Sequence, residues 1–163
     1  MFVLHTLVWM YNTLLKDKMD LKQIREMAEK DLPIDETSLD KESLNVPRLH
    51  NKYLNILHDE KLLLQKYRID FRKLQKLKWE YYTGKIDEET LKEKGWEPFA
   101  LRILKQDVEL YMNADEDLVV AEGRMEYQQE KVNYLESIIK GLNTRQYHIR
   151  DAISWKKFVN GVA

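Results

Sequence analysis

The sequence predicts an all-α protein, and three observations predict it. Glycine and proline are scarce, five and three in 163 residues, too few for a loop-rich β architecture. The composition, 34% charged and 44% apolar with mean hydropathy −0.61, is that of long amphipathic helices. From Arg48 to Thr83 the chain has neither Gly nor Pro, and its apolar residues recur every three to four positions. No convincing alternating strand pattern and no internal repeat interrupts this picture.

The same composition excludes several functions. Without cysteine there is no disulfide scaffold, thiolate zinc site or cysteine nucleophile. The length suits one domain, with room for a small appendage. A net charge of −1 names no partner, so any attraction to nucleic acid must come from local segregation of charge.

The first stretch, Met1 to Leu15, is the most apolar. It is shorter than the roughly 20 residues of a membrane span. It lacks the basic start and small-residue cleavage site of a secretory signal. Composition changes at Met19, so residues 1–18 read as an N-terminal extension: a mis-called start or a short packing helix, with a membrane anchor the lesser reading. Met19 to Lys30 reads as a first helix with Leu21, Ile24, Met27 and Ala28 on one face. The polar stretch from Ile34 to Pro47 is expected to hold a short helical turn, with Asn45 and Pro47 opening the next helix.

That next helix, Arg48 to Thr83, dominates the chain. Steps of four and three give Tyr53, Leu57, Glu60, Leu64, Tyr67, Phe71, Leu74, Lys78 and Tyr81, seven of nine apolar. A second seam through Leu49, Ile56, Leu63 and Leu77 adjoins it, making a face wide enough for two neighbours. Gly84 stands where a left-handed cap belongs, with Lys85 just beyond. Ile86 to Trp96 reads as a hydrophilic connector with a short helix over residues 87–94. Pro98 is expected to open a helix continuing from Phe99 to Met112. The acidic Asn113–Asp117 stretch can cap a final run, Leu118 to Phe158, with Gly141 to Thr144 its expected break. The chain thus divides into the extension 1–18, a helical region 19–85 bearing the candidate site, a connector 86–97 and a C-terminal helical region 98–163.

Chemistry-bearing motifs are sparse. No phosphate-binding GxxxxGK[ST] occurs. His50 and His58 could share a helix face, but no carboxylate–histidine pairing accompanies them, so no metal site is expected. Asp115, Glu116, Asp117 and Glu122 are better read as acids decorating a helix start. The sequence therefore predicts no enzyme, no cofactor and no small-molecule substrate.

Charge distribution is more informative. Glu60 to Lys85 holds eight bases (Lys61, Lys66, Arg68, Arg72, Lys73, Lys76, Lys78, Lys85) against three acids. Asp107 to Glu130 holds eight acids against Arg124, and Lys140 to Lys157 five bases against one acid. At about 100° per residue, Arg68, Arg72, Lys76 and Trp79 form one stripe opposite the apolar seam. A tryptophan among cations suits sequence-tolerant binding of a single strand, whose bases stack and whose phosphates need neutralising. The alternative is a solvated coiled-coil face with Trp79 covering a neighbouring chain, and pattern alone favours that alternative. Lys78 projects instead toward the edge of the apolar side, where a lysine stem can lie along the seam.

The stretch Lys76-Leu77-Lys78-Trp79-Glu80-Tyr81-Tyr82-Thr83-Gly84-Lys85 resembles the UvsY family of recombination mediators of tailed phages. So do Met19-Asp20-Leu21 through Asp31-Leu32-Pro33-Ile34-Asp35, and His148-Ile149-Arg150-Asp151. The likeness spans roughly residues 19–160 and has no counterpart for 1–18. It implies a non-enzymatic, helical, ring-forming homo-oligomer, a heptamer, working in the cytoplasm of the infected host cell. It implies binding of single-stranded DNA and help to a UvsX-type recombinase in displacing the phage single-strand-binding protein. By resemblance Lys76 and Lys78 contribute to strand binding, and the C-terminal region, here Leu135 to Phe158, drives self-association. Arg68, Arg72, Lys73, Trp79 and Lys85 are further candidates from the stripe itself. Trp79 stands where the family pattern has an aliphatic residue, so its stacking role comes from the stripe alone. The competing reading is a structural coiled-coil scaffold or adaptor without a DNA role.

Overall fold

The computed structural model describes residues 19–101 and 103–161, and these are all-helical. The extension 1–18 lies outside the described residues. Among the described residues five helices follow in order: α1 Leu21–Asp31, α2 Leu39–Tyr82, α3 Glu88–Lys94, α4 Val108–Asn113 and α5 Glu116–Val159. The described chain forms two compact units. One takes the residues up to Asn51 together with those from Lys140 onward; the other is Lys52–Ile139.

In the first unit, α1 begins with a capping box. Asp20 accepts from the Gln23 backbone N–H at 2.7 Å while the Gln23 side chain accepts from the Asp20 N–H at 2.8 Å. Its Ile24 and Ala28 are buried, the face the periodicity assigned to the core. A cluster of Leu39, Val46 and Ile149, flanked by Ile34 and Ala152, holds the start of α2 against the end of α5. The buried Arg145 guanidinium donates to the carbonyls of Leu32 and Pro33 and to Glu42 Oε2, the last at 2.7 Å.

These contacts explain two departures from expectation. The helix does not open at Pro47: α2 starts at Leu39 and carries Pro47 inside it. Proline there removes one i→i−4 bond and crowds the preceding turn. Burial of Leu39, Val46 and Leu49 and the Arg145–Glu42 bond hold those turns regardless. Nor does the chain break at Gly141: α5 runs unbroken across Gly123 and Gly141. Leu142 is buried within the expected break and Arg145 just beyond it, and that packing outweighs glycine's weak helix propensity.

In the second unit, cross-links fix how α2 and α5 lie together. Lys61 meets Glu136 at 2.6 Å, Glu60 meets Lys131 at 2.8 Å, and Arg68 meets Gln129 at 2.7 Å. From Lys61–Glu136 through Arg68–Gln129 to Lys78–Asp117, positions rise along α2 as they fall along α5, so the helices are antiparallel. Tyr53, Leu57, Leu63 and Leu64 of α2, and Leu118, Val132, Leu135 and Ile138 of α5, are buried. Glu60, one of the two polar residues in the first seam, is buried too, satisfied by Lys131 and by the Gln128 amide.

The connector forms as anticipated at its start. Gly84 has φ 68°, and the Lys85 N–H returns to the Glu80 carbonyl at 2.8 Å. The Asp87 side chain caps α3 by accepting from the Thr90 N–H at 2.7 Å. Of the helix expected from Pro98 to Met112, the described residues show only Val108–Asn113 as helical. Trp96 and Phe99 pack instead on Tyr81 and Tyr82, and the Tyr81 hydroxyl donates to the Glu97 carbonyl at 3.0 Å. Aromatic burial outcompetes a helix start that proline alone favoured.

Candidate nucleic-acid interface

The end of α2 presents two different faces. On the outer face Arg68, Arg72, Lys73, Lys76 and Trp79 are all exposed. Arg72 Nε donates to the Arg68 carbonyl at 3.3 Å, while Arg68 Nη2 donates to Gln129. Lys76 lies 3.4 Å from Glu80 one turn on, and its side chain is 77% exposed. Such an exposed pair is weak and easily exchanged for another anion. Trp79 is 41% exposed, and the cap at Gly84 turns the chain so that Lys85 Nζ sits 4.3 Å from the centre of its ring. The structure thus brings Trp79 and Lys85 together and sets Arg72, Lys73 and Lys76 on the turns before them.

Lys78 belongs to the inner face. It is 6% exposed, its ammonium 2.9 Å from Asp115 Oδ2 and 2.6 Å from Asp117 Oδ2. The ammonium also sits 4.0 Å from the centre of the Trp96 ring. Tyr82 donates its hydroxyl to Asp115 Oδ2 at 2.8 Å, and Asp115 Oδ1 accepts from the Leu118 N–H at 3.1 Å, capping α5. Burial disfavours the Lys78 ammonium, but hydrogen bonds to Asp117 and Asp115 outweigh it and hold the pKa above the ordinary lysine value. Burial likewise works against the Asp115 carboxylate, yet Lys78, Tyr82 and the Leu118 N–H keep it below the usual carboxylate range. Burial and the neighbouring Asp115 push Tyr82 well up. Lys78 and Lys76 therefore stand in different environments: one ammonium is already neutralised by two carboxylates, the other is open to solvent.

Sequence reasoning placed Lys78 toward the apolar side but missed its partners. The acidic Asp107–Glu130 block was visible, but which of its acids meet Lys78 is set by the antiparallel return of the last helix. It missed also the aromatic hub of Tyr81, Tyr82, Phe99 and Tyr111, whose ring centres lie 5.0–5.9 Å apart. Among the described residues no cluster of His and acidic side chains could hold a metal ion, and no helix is long and apolar enough to cross a membrane.

The family model described as "Recombination, repair and ssDNA binding protein UvsY" matches residues 27–162. The chain belongs to the UvsY family. Crystal structures of the bacteriophage T4 recombination mediator protein UvsY share this fold. Those in lattice types IV and II each give a TM-score of 0.76, at 21% and 22% identity. They cover 86% and 87% of this chain and 99% and 98% of theirs. The lattice type I structure gives a TM-score of 0.72 at 22% identity, covering 82% of this chain and 96% of its own. No curated protein sequence matches the chain. At this identity the structures establish a shared UvsY fold, and the family match carries the association with recombination, repair and single-stranded DNA.

Proposed function

We propose that this UvsY-family chain is a recombination mediator that binds single-stranded DNA along the outer face of α2. The observation that carries the reading is the exposed run Arg68, Arg72, Lys73, Lys76, Trp79 and Lys85 on a protein whose net charge is only −1. Arg72, Lys73, Lys76 and Lys85 neutralise phosphates, and Trp79 offers a ring to a base. Lys78 supports the same site from behind, holding the end of α2 to the start of α5.

Self-association multiplies the contact. Tyr147, Ile153, Trp155, Phe158 and Val159 are exposed toward the end of α5, with the Trp155 and Phe158 rings 5.8 Å apart. An apolar patch of this kind suits a homo-oligomeric interface, and a ring, heptameric by family resemblance, repeats the basic stripe once per protomer. Weak contacts then combine by avidity.

Mediation follows by linkage and needs no enzymatic step. A strand held in a form that a UvsX-type recombinase binds well, and the phage single-strand-binding protein binds poorly, passes to the recombinase. The setting is the cytoplasm of an infected host cell. A salt titration against labelled poly-dT tests the reading. Affinity should fall steeply with salt and depend little on sequence; absence of binding at low salt favours the scaffold reading.

A further inference from the structure

Trp79, Lys105 and Val108 line two clefts that differ in charge. On one side, a cleft of about 490 Å³ reaches α4 and α5 and carries the carboxylates Glu109 and Glu122. On the other, a cleft of about 690 Å³ runs between the end of α2 and the described residues 99–101, 103 and 105. Phe99, anchored among Tyr82 and Tyr111, lays Leu101, Ile103 and Lys105 opposite Trp79. Apolar and aromatic side chains wall this second cleft, Lys85 and Lys105 supply its cations, and no carboxylate lines it among the described residues. Sites for small ligands have this make-up and a volume of roughly 300–1,000 Å³. A ligand matched to both features has a flat apolar ring and an attached anion. Lys105 lines both clefts, but among the described residues only this one has Lys85 as well and no carboxylate, so an anion is favoured here.

We propose that the cleft seats one nucleobase of the bound strand against Trp79, with Lys85 and Lys105 as partners of the adjoining phosphates. This rests on the single-stranded DNA reading above and adds Lys105 and the 99–105 segment to it. The Lys85 ammonium now covers the Trp79 ring. An arriving base takes that place, and Lys85 moves to phosphate. The exchange is favourable because base stacking exceeds an exposed cation–ring contact.

The test compares a dT oligomer with an abasic oligomer of the same length, using the full chain and fluorescence anisotropy. Wild type should bind the dT oligomer at least about fivefold more tightly, the low end of what one stacked base provides. Trp79→Ala and Leu101→Asp should abolish that preference, and Trp79→Phe should retain it. Lys105→Ala should weaken both oligomers alike and flatten the salt slope. Trp79 and Leu101 are exposed, and the Trp79→Phe control separates loss of the ring from loss of the fold. Equal affinity of wild type for the two oligomers overturns the base seat and leaves DNA binding standing. So does a full preference in Leu101→Asp, which would place the stacked base outside this cleft. If wild type binds neither oligomer, the single-stranded DNA reading itself falls.

Discussion

The Lys78 ammonium lies 2.9 Å from the Asp115 carboxylate, and both side chains are more than nine-tenths buried. This pair joins the end of α2 to the start of α5 within the second unit. It also sorts the two lysines of the family-like motif: Lys78 is spent inside the protein, and Lys76 faces water.

Lys78→Met should destabilise the protein by about 3–5 kcal/mol, because it leaves Asp115 buried without its cation. Urea denaturation measures the loss. Lys78→Met with Asp115→Asn should recover part of it, since no uncompensated charge then remains at that position. A loss in the double variant equal to the sum of the losses in Lys78→Met and Asp115→Asn alone would show that the two residues are not coupled.

Asp115 also sets a dependence on pH. Its folded pKa is depressed from 3.8, so its contribution is present above that value and lost as pH falls through the folded value. Lys78 is raised from 10.5, so its contribution is present below that value and lost as pH rises through the folded one. Stability should fall below about pH 4 in wild type, and Asp115→Asn should lessen that acid dependence. Denaturation midpoints across pH check this.

A second buried pair tests the packing of α2 on α5. Lys131→Met should cost about 3–5 kcal/mol by orphaning Glu60, 5% exposed in the core. Replacing Glu60, Gln128 and Lys131 together with apolar residues of like volume should cost far less. Thermal denaturation of the two variants distinguishes them.

The seams of the long helix were legible because burial repeats at helical spacing: Tyr53, Leu57 and Leu64 are all buried, as the first seam requires. Gly84 was legible because a left-handed cap has few alternatives. Pro47, Gly141 and residues 98–107 were not. In each, contacts far away in sequence outweigh a local signal: Arg145 on Glu42, burial of Leu142, and Phe99 on Tyr82. That Arg72, Lys76 and Trp79 share an exposed stripe could be read from periodicity alone. The partners of Lys78 and the cleft against Trp79 could not, because Asp115 and Lys105 reach α2 only through tertiary folding.

Self-association should depend on the end of α5. Trp155→Glu with Phe158→Glu places charge on two exposed rings, so helicity should be kept while the oligomer disperses. Light scattering at micromolar concentration reads the mass. An unchanged assembly would move the interface elsewhere on the chain.

The most direct measurement is a salt titration of poly-dT binding for wild type and for Arg72→Ala with Lys76→Ala. Wild-type affinity should fall steeply with salt. The double variant should bind more weakly, and its slope should be shallower by about 0.7 for each phosphate contact removed. Its oligomeric mass should be unchanged. An intact oligomer that binds poly-dT with wild-type affinity and wild-type slope after both cations are gone would contradict the assignment of the DNA site to α2.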